Sequence, residues 1–314
     1  MNTPLIEATG LTKEYRLASG KKVHAVSDVS LQIFRGETLG LVGESGCGKS
    51  TLGRALIGLN PPTAGEVRFE GAPVTGLGER AFRAYRRRMQ MIFQDPYASL
   101  DPRMTVQEIV AEPLKTYRVC KNREALSARV GALLDAVGIP REYRDRYPHQ
   151  FSGGQRQRVA IARAIALDPD LIVCDEPVSA LDVSVQNQIL NLLKSLQRER
   201  GLTYLFISHD LSVVRFLADR VCVMFLGSLC ELGDTAGVYE NPLHPYTRFL
   251  LDAIPKPDPR TRGEERMLLS GDLPSPINPP GGCRFHTRCP YATDRCRTEA
   301  PRLREVSGRL VACH

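Results

Sequence analysis

One run near the start of the chain, Gly43-Glu44-Ser45-Gly46-Cys47-Gly48-Lys49-Ser50, has the residue types and spacing of a phosphate-gripping loop. Its glycines let the backbone fold tightly, so that N–H groups at a helix N-terminus point at phosphate oxygens. Lys49 would reach the β- and γ-phosphates of a nucleoside triphosphate, and the Ser50 hydroxyl would ligate Mg²⁺. A chance glycine-rich turn is the bland alternative. The context argues against it, because apolar Thr38–Val42 reads as a strand before the loop and residues 51–59 read as a helix after it.

Two further groups of residues could do chemistry. Leu171-Ile172-Val173-Cys174-Asp175-Glu176 reads as a buried strand ending in adjacent carboxylates that alternation points in different directions. Asp175 would support Mg²⁺ through a water, and Glu176 would polarise an attacking water as general base. Alone, such a strand end is as readily a solvated terminus. The other group is Cys283, Cys289, Cys296 and Cys313, spaced C-x5-C-x6-C-x16-C. Four thiolates suit Zn²⁺ or an iron–sulfur cluster, although the tight C-x2-4-C knuckles of structural zinc sites are missing. Unligated thiols are the third reading. Histidines at His286 and His314 could substitute as ligands, solvated histidines being the plainer reading.

These residues need elements to hold them. Residues 1–97 read as short strands broken by Gly and Pro, with one helix after the loop. Residues 98–166 read as mostly helical, with 124–137 apolar at helical spacing and ending near Gly138 and Pro140. Residues 171–232 alternate strands and helices, with 171–174 and 204–207 as apolar runs of buried parallel strands. Such alternation implies an α/β core with a helical block between its halves. After Glu240 the prolines at 255, 257, 259, 274, 276, 279 and 280 read as a stiff, extended connector. The longest apolar runs are far too short to span a bilayer, and residues 1–10 lack a secretory pattern, so the chain is expected to stay in the cytosol. A net charge of +7 is compatible with nucleic acid, nucleotide phosphates or an anionic membrane surface. Its densest cluster (Arg80, Arg83, Arg86, Arg87, Arg88) reads as a solvated helix face.

Phe151-Ser152-Gly153-Gly154-Gln155-Arg156-Gln157-Arg158 resembles the signature motif of ABC ATPases, at the start of a helix expected over 155–166. Physically it is a second anion-binding helix N-terminus. The resemblance implies an α/β fold: a P-loop ABC-type ATPase core with an inserted helical subdomain (about 98–166) over residues 1–237, and a small cysteine-containing extension over 238–314. It implies ATP and Mg²⁺ as cofactors. ATP binding is expected at Tyr15, Gly43, Ser45, Gly46, Cys47, Gly48, Lys49, Ser50, Thr51, Ser152, Gly153, Gly154, Gln155 and Asp182. Tyr15 resembles the aromatic that stacks on adenine, a core aromatic being its alternative. Gln94 resembles the glutamine that senses Mg²⁺ and the attacking water, Asp182 the loop residue that communicates across a dimer, and His209 the histidine at the γ-phosphate. Glu176, His209 and Gln94 are thus the expected catalytic set, and Ser50, Gln94 and Asp175 the Mg²⁺ set. None of the hydrolytic positions is replaced.

A narrower resemblance, carried by residues 94–103 and by Asn241-Pro242-Leu243-His244-Pro245-Tyr246-Thr247, is to the dipeptide and oligopeptide importer branch, and within it to the second ATPase subunit. That branch is associated with a [4Fe-4S] cluster in its extension, held here by Cys283, Cys289, Cys296 and Cys313, with Zn²⁺ the alternative. The implied partners are a second homologous ATPase subunit packed head to tail, two transmembrane permease subunits and an extracytoplasmic substrate-binding protein, without nucleic acid. The implied location is peripheral, on the cytoplasmic face of the plasma membrane. Importers of nickel or glutathione share the pattern. A soluble ABC ATPase acting on ribosomes or DNA would bring two ATPase halves or a long coiled-coil insertion, which this chain lacks.

Overall fold

The computed structural model describes residues 3–254 and 274–314, in two compact units: Met1–Gly76 with Phe206–His314, and Leu77–Leu205. The connector prolines at 255, 257 and 259 lie outside the described residues. The first unit opens with β1 (Pro4–Arg16), β2 (Lys22–Phe34), β3 (Thr38–Val42), α1 (Lys49–Leu56), β4 (Ala64–Phe69) and β5 (Ala72–Pro73). An antiparallel sheet runs in the order β2-β1-β4-β5. Two of the strands expected here to be short are long, while β3, β4 and β5 are short. β1 and β2 each run 13 residues, because the register shifts between Ala8 and Leu11 instead of breaking at Gly10, whose N–H donates to Ser30 Oγ at 2.9 Å.

The second unit holds α2 (Glu79–Arg88), β6 (Met89–Ile92), α3 (Pro96–Ser99), α4 (Val106–Thr116), α5 (Arg123–Ala136), α6 (Gly153–Ala164), β7 (Leu171–Asp175) and α7 (Val183–Arg200). β6 and β7 pair in parallel, Met89 opposite Leu171 and Ile92 opposite Cys174. All five residues of β7 are buried, as expected for a strand covered on both faces. The helical block forms its core from Ile109, Val110 and Leu114 of α4, Leu133 and Leu134 of α5, and Val159 and Ile161 of α6. The α6 helix starts two residues before its expected position because Ser152 caps it.

β8 (Thr203–Ser208) returns the chain to the first unit, followed by α8 (Leu211–Leu217), β9 (Arg220–Phe225), β10 (Ser228–Asp234), α9 (Thr235–Glu240), α10 (Pro245–Asp252), α11 (Asp294–Thr298), β11 (Arg304–Val306) and β12 (Arg309–Val311). Here the strands run in the order β11-β12-β10-β9-β3, with β9 parallel to β3 and the rest antiparallel. The extension therefore adds strands to the same sheet that carries the phosphate loop. Glu231, fully buried on β10, accepts from Arg309 at 3.1 Å and from the backbone N–H of His244 at 2.9 Å. A buried carboxylate is tolerable only when so paired. Among the described residues no helix is long and apolar enough to cross a membrane.

Candidate functional site

The phosphate loop leaves the end of β3, every residue of which is buried. Two glycines are required by close approach. A Cβ on Gly43 would lie 2.1 Å from the Met224 carbonyl oxygen, and one on Gly48, at φ +104°, would lie 2.0 Å from that of Ala25. The Lys49 ammonium is buried and folds back onto the loop, donating to the Gly43 carbonyl at 2.8 Å and the Glu44 carbonyl at 2.9 Å. Such charge-assisted donors are ones a phosphate oxygen competes for effectively. Gly227 in the β9–β10 turn donates to the Cys47 carbonyl at 2.8 Å. Burial raises the Cys47 thiol above its ordinary pKa, which leaves it a small apolar filler in the loop rather than a nucleophile. Ser50 and Thr51 sit half-buried in the first turn of α1, and Ser45 and Gly46 are exposed at the loop tip.

The remaining expected residues of this unit lie at its surface. Tyr15, near the end of β1, is 37% exposed rather than in the core. Its hydroxyl accepts from Asn60 at 3.3 Å and its ring lies beneath Lys13. His209 is exposed just after β8, where Asp210 caps α8 by accepting from the N–H groups of Ser212 and Val213.

The second unit carries the carboxylates. Asp175, the last residue of β7, is fully buried, while Glu176 emerges half-buried with φ +45°, a left-handed backbone that a long side chain adopts only when its surroundings enforce it. Those surroundings are visible: the Glu176 carbonyl accepts from the Ser179 N–H and hydroxyl at 3.3 and 3.1 Å. Gln94, two residues beyond β6, donates from Nε2 to Glu176 Oε2 at 3.1 Å. The parallel pairing of β6 with β7 brings these two side chains together across 82 residues of sequence.

Ser152 starts α6 with a capping box: its Oγ accepts from the Gln155 N–H at 3.3 Å, and Gln155 Oε1 accepts from the Ser152 N–H at 3.0 Å. Gly153 is half-buried, and Gly154 is buried for packing, since a Cβ there would lie 2.4 Å from Val185 Cγ1 of α7. Asp182 holds the N-cap position of α7 and is exposed, with no side-chain bond to its own helix.

All nine cysteines are free thiols. Burial pushes Cys283 up to about 11, with Cys296, Cys289 and Cys313 adding to the shift. Cys289 and Cys313 are also raised, first by burial and then by neighbouring thiols. Cys296 is lowered by its bond to the Thr293 hydroxyl, 3.4 Å away. The four thus feel one another. The expected cluster site is nevertheless not assembled: among the described residues no group of three or more Cys, His, Asp or Glu side chains is disposed to hold a metal ion. Cys296 is bonded to the Thr293 hydroxyl.

Sequence reasoning gave no role to Glu44, Tyr246 or Arg288, which meet at the loop. The local signals were a charged residue beside the first glycine of the loop, the His244-Pro245-Tyr246 run, and an arginine next to Cys289.

Against known proteins, residues 26–179 match the ABC transporter family and residues 230–296 match the oligopeptide/dipeptide transporter C-terminal region. The chain is 53% identical over 313 residues to a putative oligopeptide transport ATP-binding protein, YkfD, of Bacillus subtilis, covering 99% of this chain and 95% of that one. It is 51% identical over 318 residues to the oligopeptide transport ATP-binding protein OppF of Escherichia coli, with 98% and 95% covered. Among solved structures, a dimeric post-hydrolysis state of the ATP-binding cassette MJ0796 bound to ADP and Pi resembles it at TM-score 0.67 and 33% identity, over 73% of this chain and 98% of that one.

Proposed function

The chain belongs to the ABC transporter family of ATPases, and on that premise we propose that it powers the import of dipeptides or oligopeptides across the cytoplasmic membrane. The ATPase reading is carried by one observation above the rest: Glu176, held in a strained backbone conformation, has its carboxylate fixed by Gln94. A carboxylate so oriented can accept a proton from water as that water attacks a phosphorus atom. The peptide reading is supported by the whole-length likeness to oligopeptide transport ATP-binding proteins and by the match of residues 230–296.

In this reading each unit contributes its own share. In the first, the loop N–H groups and Lys49 would bind the phosphates, Ser50 would ligate Mg²⁺, Tyr15 would stack on adenine and His209 would contact the γ-phosphate. In the second, Asp175 and Gln94 would help to hold Mg²⁺, Gln94 orients Glu176, and Glu176 would activate water. The ion would supply neutralisation of phosphate charge. Ser152, Gly153, Gly154 and Gln155 close over the loop of a second, homologous ATPase subunit packed head to tail, with Asp182 at that interface. Two permease subunits and an external binding protein complete the importer, and the chain sits peripherally on the cytoplasmic face.

The four cysteines of the extension would take a soft metal centre, a [4Fe-4S] cluster ahead of Zn²⁺. Their thiol chemistry and mutual electrostatic influence support this, and the Thr293 hydroxyl bonded to Cys296 could remain as a donor to a ligating sulfur. Such a centre would supply folding energy to a segment with little apolar core. Iron and acid-labile sulfide analysis of anaerobically purified protein tests it, and absence of both sulfide and zinc overturns it.

The test of the hydrolytic reading is Glu176→Gln. ATP binding should persist while turnover falls by roughly 10²- to 10⁴-fold, the range for removal of a general base. Wild-type turnover in that variant would remove Glu176 from the mechanism.

A further inference from the structure

Glu44, the second residue of the phosphate loop, has each of its polar groups taken by another part of the first unit. Its backbone N–H donates to the Tyr246 hydroxyl at 2.9 Å. Its carbonyl accepts from Lys49 at 2.9 Å. Both carboxylate oxygens accept from the single nitrogen Nη1 of Arg288, at 2.9 and 3.1 Å. Arg288 is only 10% exposed and Glu44 26%, so the pair is shielded from the screening that makes surface ion pairs weak.

Both clamping residues come from the C-terminal region, and Tyr246 is itself held by packing. Tyr246 is fully buried, its ring centroid 4.8 Å from that of Phe225 and 5.3 Å from that of Phe285. Phe285 and Arg288 lie between Cys283 and Cys289, in one short segment. From the same segment Arg284 donates to the Leu226 carbonyl and, at 2.9 Å, to Ser27 Oγ. Leu226 precedes Gly227, whose N–H holds the Cys47 carbonyl. The segment therefore grips the loop directly at Glu44 and indirectly, through the β9–β10 turn, at Cys47.

We propose that Tyr246 and Arg288 are positioning residues for ATP, through which the cysteine-bearing C-terminal module sets the shape of the phosphate loop and hence its affinity for nucleotide. Two physical effects act in the same direction. A glycine-rich loop has many conformations to lose on binding, and fixing Glu44 beforehand removes part of that cost. The guanidinium also neutralises a carboxylate that would otherwise repel the incoming phosphates. The proposal rests on residues 43–50 being the ATP site.

The experiment is steady-state ATP hydrolysis and equilibrium ATP binding with the full chain. Arg288→Ala should raise the ATP KM and Kd on the order of 10-fold, the scale of one charged hydrogen bond, with kcat little changed. Arg288→Lys should recover most of that affinity, and Tyr246→Phe should weaken binding by on the order of 3-fold. Arg295→Ala, which removes an arginine of the same module that pairs in solvent with Glu299, should leave KM unchanged. Partial unfolding lowers kcat by reducing the number of active molecules and leaves KM where it was, so a fall in kcat alone overturns the proposal. Lys49→Ala separates the two readings. If it abolishes ATP binding while Arg288→Ala keeps the wild-type KM, the clamp is wrong and the loop assignment stands. If Lys49→Ala binds ATP normally, the loop assignment itself fails.

Discussion

Two helix N-termini in this chain offer themselves to phosphate, and they are built in opposite ways. The α1 helix starts at Gly48 in a left-handed conformation with no capping side chain. The α6 helix starts at Ser152 with a complete capping box. The first end is held from outside, by Met224 and Ala25 against its glycines, by Gly227 at Cys47, and by Tyr246 and Arg288 at Glu44. The second is held by its own first turn. An end that must wrap a ligand with backbone donors cannot fill them with its own side chains, so it borrows rigidity from distant segments. An end that caps itself folds the same way whether or not an anion is present.

The difference predicts unequal sensitivity, and the largest effect belongs to the borrowed end. Gly48→Ala places a methyl against the Ala25 carbonyl in a backbone region that alanine disfavours. ATP affinity should fall by about 1,000-fold, or some 4 kcal/mol, in a direct binding measurement. An alanine variant with wild-type affinity would show that the loop does not depend on this approach.

Acid should loosen the outside support before it touches the self-capped end. His244 caps α10 by accepting from the Tyr246 N–H at 3.0 Å, and burial lowers its pKa from 6.5 to about 4, offset in part by a hydrogen bond to Ala312. Glu231, paired with Arg309, accepts from the His244 backbone beside it. With the folded pKa below the unfolded one, the neutral ring favours folding. Its contribution is complete above pH 6.5 and is lost as pH falls from 6.5 through 4, to a total of about 3 kcal/mol. Urea midpoints should follow that slope, and His244→Asn, which keeps an N-cap acceptor that does not titrate, should flatten it.

Smaller effects belong to the second unit. Gly154→Ala must displace Val185 of α7, costing about 1–3 kcal/mol in unfolding free energy and leaving ATP affinity of the isolated chain unaltered. Ser152→Ala removes one cap and should cost about 1 kcal/mol, seen as a lower urea midpoint. If either change weakened ATP binding by the isolated chain as much as Gly48→Ala, the contrast between the two ends would collapse.

Much of this was legible in the residues. The strand–loop–helix around Lys49, the buried strand ending at Asp175 and Glu176, and the helix of the Ser152–Gln155 run are set by contacts a few residues apart, where spacing and residue type suffice, although the Ser152 cap that starts this helix at Gly153 was not expected. Reading was weaker where long-range pairing decides. Strand β1 runs through Gly10 on an irregularity that appears only in its pairing with β2 and β4. Gly154 was expected in an anion-binding helix start, yet its nearest constraint is a valine on the following helix. The four cysteines share a module as their crowding suggested, but the bond of Cys296 to the Thr293 hydroxyl is one that cysteine spacing does not encode.

By itself, the sequence determined that the chain carries a phosphate loop, a carboxylate pair and a second anion-binding helix start, because each is a local backbone motif with a short residue code. Only the tertiary structure decided what stands behind them. Gln94 reaches Glu176 because two parallel strands end side by side. Tyr246 and Arg288 reach Glu44 across 202 and 244 residues of sequence. Such partners leave no spacing to read, since they meet only in the folded chain.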